Sequence, residues 1–197
     1  MSETTSEKRT LSQRERSPWL RILIGRCGSG KTTIGRMILQ AWAEDRPDDD
    51  PGWTLVVDPV ATNPPGELHL AAAADRFTPE PPPEFPPGVD IIGVDEADLS
   101  LHQGDARAKN PPPLHGLVRR RRHAGVSVLL LTQRPALIAR DAWALADEII
   151  ICNVTDSEDL KRIGKLSGVT KDHLHRIASM SEPGIALIWR PDGVVAP

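Results

Sequence analysis

Short apolar runs alternate with longer amphipathic segments along most of the chain. The runs are rich in Val, Ile and Leu and lack a polar face, as strands in a sheet covered on both sides do. This alternation predicts an α/β fold around a mainly parallel central sheet. The predicted strands are 20–24, 54–57, 90–94, 127–131, 148–152 and 185–189, and the predicted helices are 31–43, 114–123, 135–146, 157–163 and 171–179.

Three regions stand apart from this alternation. Residues 1–17 are polar and charged without a period, which predicts a flexible amino-terminal arm before one folded domain of residues 18–197. Six prolines within residues 79–87 favour a stiff extended connector, with a proline-rich ligand for another protein as the alternative. Residues 154–197 carry helices and a late strand of open role, which either completes the sheet or contacts another subunit.

Composition narrows the function classes. The 197 residues include 24 Lys and Arg against 27 Asp and Glu, so the net charge of −3 gives no overall attraction to nucleic acid, and any such contact is expected to be local. The absence of Tyr and the presence of only two Phe argue against an aromatic platform for single-stranded bases. Two cysteines, no apolar leader and no apolar run near 20 residues favour a cytoplasmic protein without a transmembrane segment.

The strongest motif is a glycine-rich loop between the first strand and the first helix. It fits G-x-x-x-x-G-K-[ST], in which backbone N–H groups and a helix N-terminus surround phosphate oxygens. Lys31 is expected to reach the β- and γ-phosphates, Thr32 to bind Mg²⁺, and Thr33 to cap the loop or touch the α-phosphate. The predicted nucleotide-binding residues are Gly25, Arg26, Cys27, Gly28, Ser29, Gly30, Lys31, Thr32 and Thr33.

Two further strands end in polar residues whose chemistry suits a nucleotide held by this loop. The apolar run before Asp95 and Glu96 predicts Asp95 as the second Mg²⁺ ligand and Glu96 as the base that takes a proton from the attacking water. The next strand ends at Thr132 and Gln133, and the Gln133 amide is expected to sense the γ-phosphate and the water. Such a set indicates nucleotide hydrolysis.

Residues 25–33, 95–96 and 132–135, with 122–125 before the third of these strands, resemble the FtsK/HerA superfamily of P-loop DNA-pumping ATPases. Within it, the chain is most similar to the genome-packaging ATPases of membrane-containing icosahedral viruses and phages. The resemblance implies a RecA/ASCE-like P-loop NTPase fold, a three-layer sandwich with strand order 5-1-4-3-2. The strand before Gln133 then lies between the strands before Lys31 and Asp95.

The same resemblance implies an activity and its partners. It implies an ATPase that uses ATP and Mg²⁺ to pump double-stranded DNA, gripped by its backbone, into a procapsid. It further implies a homo-oligomeric ring, commonly a hexamer, docked on a capsid or membrane-vertex protein in the host cytoplasm or at the packaging vertex of the virion. Each ATP site in such a ring is completed by an arginine of the neighbour.

Four consecutive arginines, residues 119–122, are the candidates for that neighbouring arginine. Because each helical step turns about 100°, they cannot all face one target. Arg119 and Arg122 are expected to act in trans, and the others to meet DNA phosphates or solvent, while Arg134 and Arg140 lie further along the chain.

Other interpretations stay open. A small nucleotide or metabolite kinase shares the phosphate loop, a filamentous-phage-type assembly or secretion ATPase shares the core, and a slow nucleotide-dependent interaction module differs from a motor only in turnover. Residues 95–98 spell the DEAD signature of RNA helicases, but the chain has no room for the second RecA-like domain of those enzymes, which makes the match a coincidence of spelling.

Overall fold

The computed structural model describes residues 17–44, 52–59, 70–104 and 109–195. The strands are β1 (Leu20–Ile24), β2 (Trp53–Val57), β3 (Arg76–Thr78), β4 (Val89–Val94), β5 (Ser127–Thr132), β6 (Glu148–Ile151), β7 (Leu187–Arg190) and β8 (Gly193–Val195). The α-helices are α1 (Lys31–Glu44), α2 (Ala97–Ser100), α3 (Pro113–Ala124), α4 (Arg140–Leu145), α5 (Ser157–Ile163) and α6 (Lys171–Ser179). Short 3₁₀ turns cover Leu70–Ala73 and Pro135–Leu137.

The eight strands of the described residues form one sheet in the order β3-β2-β4-β5-β1-β6-β7-β8. The six strands from β3 to β6 in this order are parallel, and β7 and β8 are antiparallel. The expected five-strand order appears within it as β6-β1-β5-β4-β2, and the mainly parallel α/β class is confirmed. The sheet is longer than expected, because β3 extends one edge and β7 and β8 extend the other.

Helices pack on both faces of the sheet, as its apolar strands require. One face buries Ile22, Ile92 and Leu130 against residues of α3, α4, α5 and α6. The opposite face buries Leu23 and Leu129 against α1 and the 3₁₀ turn at Leu70–Ala73. The chain therefore has the three layers that the resemblance implies.

Most predicted elements are present within a residue or two, but the helix expected over residues 135–146 is not continuous. The backbone is extended at Ile138, which forms a bridge with His102, and the N–H of Ala139 donates to the carbonyl of Leu101. This pairing buries Ile138 completely and separates a 3₁₀ turn from α4. The sequence also did not predict the short elements β3, β8 and α2.

The remaining expectations concern the connector, the late strand and the arm. The proline-rich connector 79–87 joins β3 to β4 without a helix or strand. The late strand joins the sheet as β7, where Arg190 forms an ion pair with Glu148 of β6. The expected arm falls outside the described residues except for Ser17. Across the described ranges, no helix combines the length and apolar character needed to cross a membrane.

Arg121 of α3 is buried at the amino-terminal edge of the sheet, 1% exposed. Its guanidinium donates to Asp147 (3.0 Å) and to the carbonyl of Leu145 (2.8 Å), and Asp147 in turn accepts the N–H of Leu20 at the start of β1 (2.8 Å). Partial burial raises the pKa of the Asp147 carboxyl, but the bonds from Leu20, Arg121 and Arg122 together outweigh it and lower the pKa below its usual value. Arg121 therefore joins α3 to the starts of β1 and β6.

We expect Arg121→Ala to lower the free energy of unfolding by about 2–4 kcal/mol, because it removes the buried donor and leaves a cavity. Urea unfolding measures the difference. Arg120→Ala changes a solvent-exposed neighbour on the same helix and should stay within about 0.5 kcal/mol of the unaltered chain. Equal losses for the two variants would contradict the assigned role of Arg121.

Candidate nucleotide site

Every predicted catalytic side chain other than the arginines lies at the carboxyl edge of the parallel strands. The glycine-rich loop follows β1, Asp95 and Glu96 follow β4, and Gln133 follows β5. Because β1, β5 and β4 are adjacent and parallel, their carboxyl ends meet at one edge of the sheet. The structure therefore brings these three sequence motifs together.

The backbone of the glycine-rich loop adopts conformations that favour glycine. Gly28 and Gly30 have φ values of 76° and 88°, a left-handed region that glycine adopts without steric cost. The N–H of Gly25 donates to the carbonyl of Thr132 (3.2 Å), and the N–H of Arg26 donates to the carbonyl of Asn153 (2.9 Å). The loop is thus fixed between the ends of β5 and β6.

A segment near the carboxyl terminus also supports this loop. The N–H of Gly184 donates to the carbonyl of Ser29 (3.0 Å). A Cβ at Gly30 would lie 2.6 Å from the nitrogen of Gly184, so only glycine allows this approach. Asn153, which supports the loop on another side, donates its amide to the carbonyl of Ile177 at the end of α6 (3.1 Å). Residues 153–184 therefore help to shape the phosphate loop.

Helix α1 begins at Lys31, so its amino terminus faces the loop and adds positive potential for a phosphate. The Lys31 side chain is buried, Thr32 is half-buried and Thr33 is exposed. The loop also carries the charged Arg26 and the reactive Cys27, and both side chains are exposed. This arrangement suits a loop that binds phosphate oxygens through its backbone and Lys31.

Asp95 is buried beside other acids at this edge. Burial raises the pKa of Asp95 to about 6, although the hydrogen bond from the N–H of Glu96 lowers it. The nearby Asp58 and Glu96 carboxylates raise this pKa further, and Lys31 lowers it. Asp58 is fully buried at the end of β2, next to β4. The excess of negative charge at this edge fits a divalent cation, with Thr32 and Asp95 as the residues to hold it.

Glu96 and Gln133 contact each other across the gap between the β4 and β5 ends. The Gln133 Nε2 donates to the Glu96 Oε1 in a hydrogen bond of 2.5 Å, and both side chains are half-buried. Glu96 has a φ of 44°, which makes it the one non-glycine residue with positive φ in the described part of the chain. A strained backbone at a candidate base is typical of functional sites.

The predicted trans arginines lie at the opposite edge of the sheet. Arg119 forms an ion pair with Asp141, and Arg122 forms one with Asp147 (2.7 Å). Both side chains are more than half exposed. Helix α3 ends before β5 begins, which places its last turn at the amino-terminal edge of the sheet, and Arg122 lines a cavity along α1 that also includes Thr33 and Gly184.

Sequence reasoning did not assign several residues that shape the site. Asp58, Asn153, Asp159 and Gly184 carry no motif. Asp159 of α5 is buried and accepts from the N–H of Ala136 (2.9 Å) and from Arg134 (3.3 Å), which fixes the segment after Gln133. One signal was available for Asp58, because it too follows an apolar strand directly.

We expect Asp95→Asn to stabilise the chain at pH 8 by about 2–3 kcal/mol when Mg²⁺ and nucleotide are absent. The folded chain holds a proton on Asp95 up to about pH 6, whereas the unfolded chain releases it near pH 4. The stability of the unaltered chain therefore falls as pH rises between those values, and the advantage of the variant disappears below about pH 4. Urea unfolding from pH 4 to 8 in EDTA, with exposed Asp192→Asn as control, tests this; an unstabilised Asp95→Asn would contradict it.

Comparison with known proteins gives a structural likeness only. No family profile and no curated protein matches the chain. The genome packaging NTPase B204 of Sulfolobus turreted icosahedral virus 2, in complex with ATP-gammaS, aligns with a TM-score of 0.66 at 14% identity over 90% of this chain and 94% of B204. The DNA-packaging ATPase B204 of Sulfolobus turreted icosahedral virus aligns with a TM-score of 0.63 at 17% identity over 89% and 94%.

A secretion protein shares the fold as well. The cytoplasmic domain of the type VII secretion ATPase EccC of Thermomonospora curvata aligns with a TM-score of 0.55 at 15% identity over 89% of this chain and 22% of EccC. The predicted P-loop NTPase architecture is therefore confirmed, and the chain has the fold of the B204 packaging NTPases and of the EccC secretion ATPase.

Proposed function

We propose that the chain is an ATPase motor that pumps double-stranded DNA, in its most specific form a motor that packages a viral genome into a procapsid. The contact between Glu96 and Gln133, beside Asp95 and the phosphate loop, carries this proposal. A carboxylate and an amide at this position orient a water for attack on a γ-phosphate. The likeness to B204 over nearly its whole length supports the packaging assignment.

The residues divide the work along the sheet edge. The loop backbone and Lys31 bind the β- and γ-phosphates, and Glu96 takes the proton of the attacking water while Gln133 orients it. Magnesium held by Thr32 and Asp95 would supply positive charge to the phosphate oxygens. Gln133 now donates to Glu96, so it must exchange that bond for one to the water or phosphate when the site is loaded.

The proposal includes a ring, most simply a hexamer, that acts in the host cytoplasm or at the packaging vertex. The exposure of the Arg119 and Arg122 side chains supports a role in the site of a neighbouring subunit. Double-stranded DNA would be gripped through its phosphates, and a capsid or membrane-vertex protein would hold the ring in place.

A second candidate is a protein-secretion or assembly ATPase, favoured by the alignment with EccC. It uses the same hydrolytic residues and differs in what the ring moves. Stimulation of turnover by a peptide instead of DNA would favour it.

We expect long double-stranded DNA to raise steady-state ATP hydrolysis at fixed low salt, since backbone binding weakens steeply with salt. Glu96→Gln should bind ATP but lose about 10²–10⁴-fold in kcat, because the amide cannot accept the proton of the water. Glu158→Gln changes an exposed carboxylate on α5 and serves as the matched control, with turnover unchanged. Nucleotide binding is measured separately by equilibrium titration.

Two outcomes would contradict these assignments. Full activity of Glu96→Gln would remove Glu96 as the base. Turnover that requires a small phosphoryl acceptor, with no effect of DNA, would favour the kinase interpretation over the motor.

We expect Arg122→Ala to lose about 10³–10⁵-fold in ATP turnover if its guanidinium completes the site of a neighbour. Folding should persist, because Asp147 keeps its bonds to Arg121 and Leu20. Mixing Arg122→Ala with Lys31→Ala subunits should restore part of the turnover, because an intact loop then meets an intact arginine. Arg119→Ala is tested in the same way, and exposed Arg176→Ala is the control. Loss of turnover without recovery in either mixture would exclude action in trans.

A further inference from the structure

Two neighbouring side-chain hydrogen bonds join the acidic turn after β4, residues 95–98, to the end of β5. The first is the bond from Gln133 to Glu96. In the second, the Thr132 Oγ1 donates to the Asp98 Oδ1 over 2.6 Å. Asp98 is the last residue of the DEAD sequence at positions 95–98, and the sequence alone gave it no role.

The two bonds differ in burial. Thr132 is 1% exposed and Asp98 is 9% exposed, whereas Gln133 and Glu96 are both half-buried and open to a ligand. A charged hydrogen bond away from solvent is strong and costly to break. The Thr132–Asp98 bond, here called the inner bond, is therefore suited to persist. The Gln133–Glu96 bond is the one that can change its partner.

Thr132 makes two further hydrogen bonds, through its hydroxyl and its backbone carbonyl. Its Oγ1 also accepts the N–H of Arg134 (3.0 Å), and its carbonyl accepts the N–H of Gly25 in the phosphate loop (3.2 Å). One residue thus touches the phosphate loop, the acidic turn and the backbone just after Gln133. A shift of Thr132 would displace all three groups relative to one another.

The segment on the far side of Gln133 is fixed independently. Asp159 accepts from the Ala136 N–H and from the Arg134 side chain, as described above. With Asp98 on one side and Asp159 on the other, the backbone around Gln133 has little freedom. Its side chain is the part left to respond to a nucleotide.

We propose that Thr132 and Asp98 are positioning residues that set the distance between Glu96 and Gln133 for attack on the γ-phosphate. The proposal rests on the proposed hydrolytic function of that pair. Catalytic groups must be held within about 0.5 Å, and a misplacement of 1 Å costs about 10²-fold in rate. Neither positioning residue acts on the substrate itself; both act through Glu96 and Gln133.

The test compares variants that break the inner bond with variants that keep it. Thr132→Val preserves the shape but removes both the donor to Asp98 and the acceptor of the Arg134 N–H, whereas Asp98→Ala removes only the acceptor of the Thr132 hydroxyl. Each should lower kcat about 10–100-fold, while KM for ATP changes less than about threefold. Thr132→Ser and Asp98→Asn retain a donor and an acceptor and should stay within about threefold of the unaltered chain. Urea unfolding confirms that each variant is folded.

A purely structural role is separated by combining substitutions. If Thr132 acts through Gln133, Thr132→Val lowers kcat in the unaltered chain but has little further effect once Gln133→Ala is present. Equal losses in both backgrounds, or losses in KM and stability alone, would overturn the positioning role. Activity of Thr132→Val and Asp98→Ala at the unaltered level would overturn it while the hydrolytic function stands. No ATP turnover by the unaltered chain would overturn both.

Discussion

Parallel pairing of β4, β5 and β1 is the constraint on which the candidate site depends. In parallel neighbours every strand ends at the same edge, so residues that follow three separate strands meet without any contact encoded between them. The helices that return the chain pack on the two faces and leave this edge open. Their apolar contacts stabilise the sheet, and the order of its strands decides which polar groups become neighbours.

The two edges of the sheet carry opposite electrostatic character. At the carboxyl edge Asp58, Asp95 and Glu96 gather beside Lys31, and burial raises the pKa of Asp95 to about 6. At the other edge Arg119 is paired with Asp141, and Arg121 and Arg122 are paired with Asp147. A chain of net charge −3 can thus gather acidic groups at one edge of the sheet and arginines at the other.

The carboxyl-terminal third belongs to the candidate site as well as to the sheet. Asn153 connects the phosphate loop with α6, and Gly184 reaches the loop from the segment before β7. Asp159 of α5 fixes the segment after Gln133. Of the two roles that the sequence left open for the late strand, completion of the sheet is the one observed, since β7 pairs with β6. The segment before β7 in addition shapes the phosphate loop, a role that the sequence did not suggest.

The sequence by itself determined the elements and the chemistry of the three motifs. Strand and helix periodicity located the main elements, and the glycine-rich loop, Asp95-Glu96 and Gln133 are recognisable because local spacing carries their meaning. The interrupted helix at Ile138 was missed because its bridge to His102 is a contact between distant residues. Likewise, only the tertiary structure joined Thr132 to Asp98, separated Arg121 from its exposed neighbours, and placed Gly184 against Gly30. These features depend on which strands become neighbours, and that information lies in packing, not in local pattern.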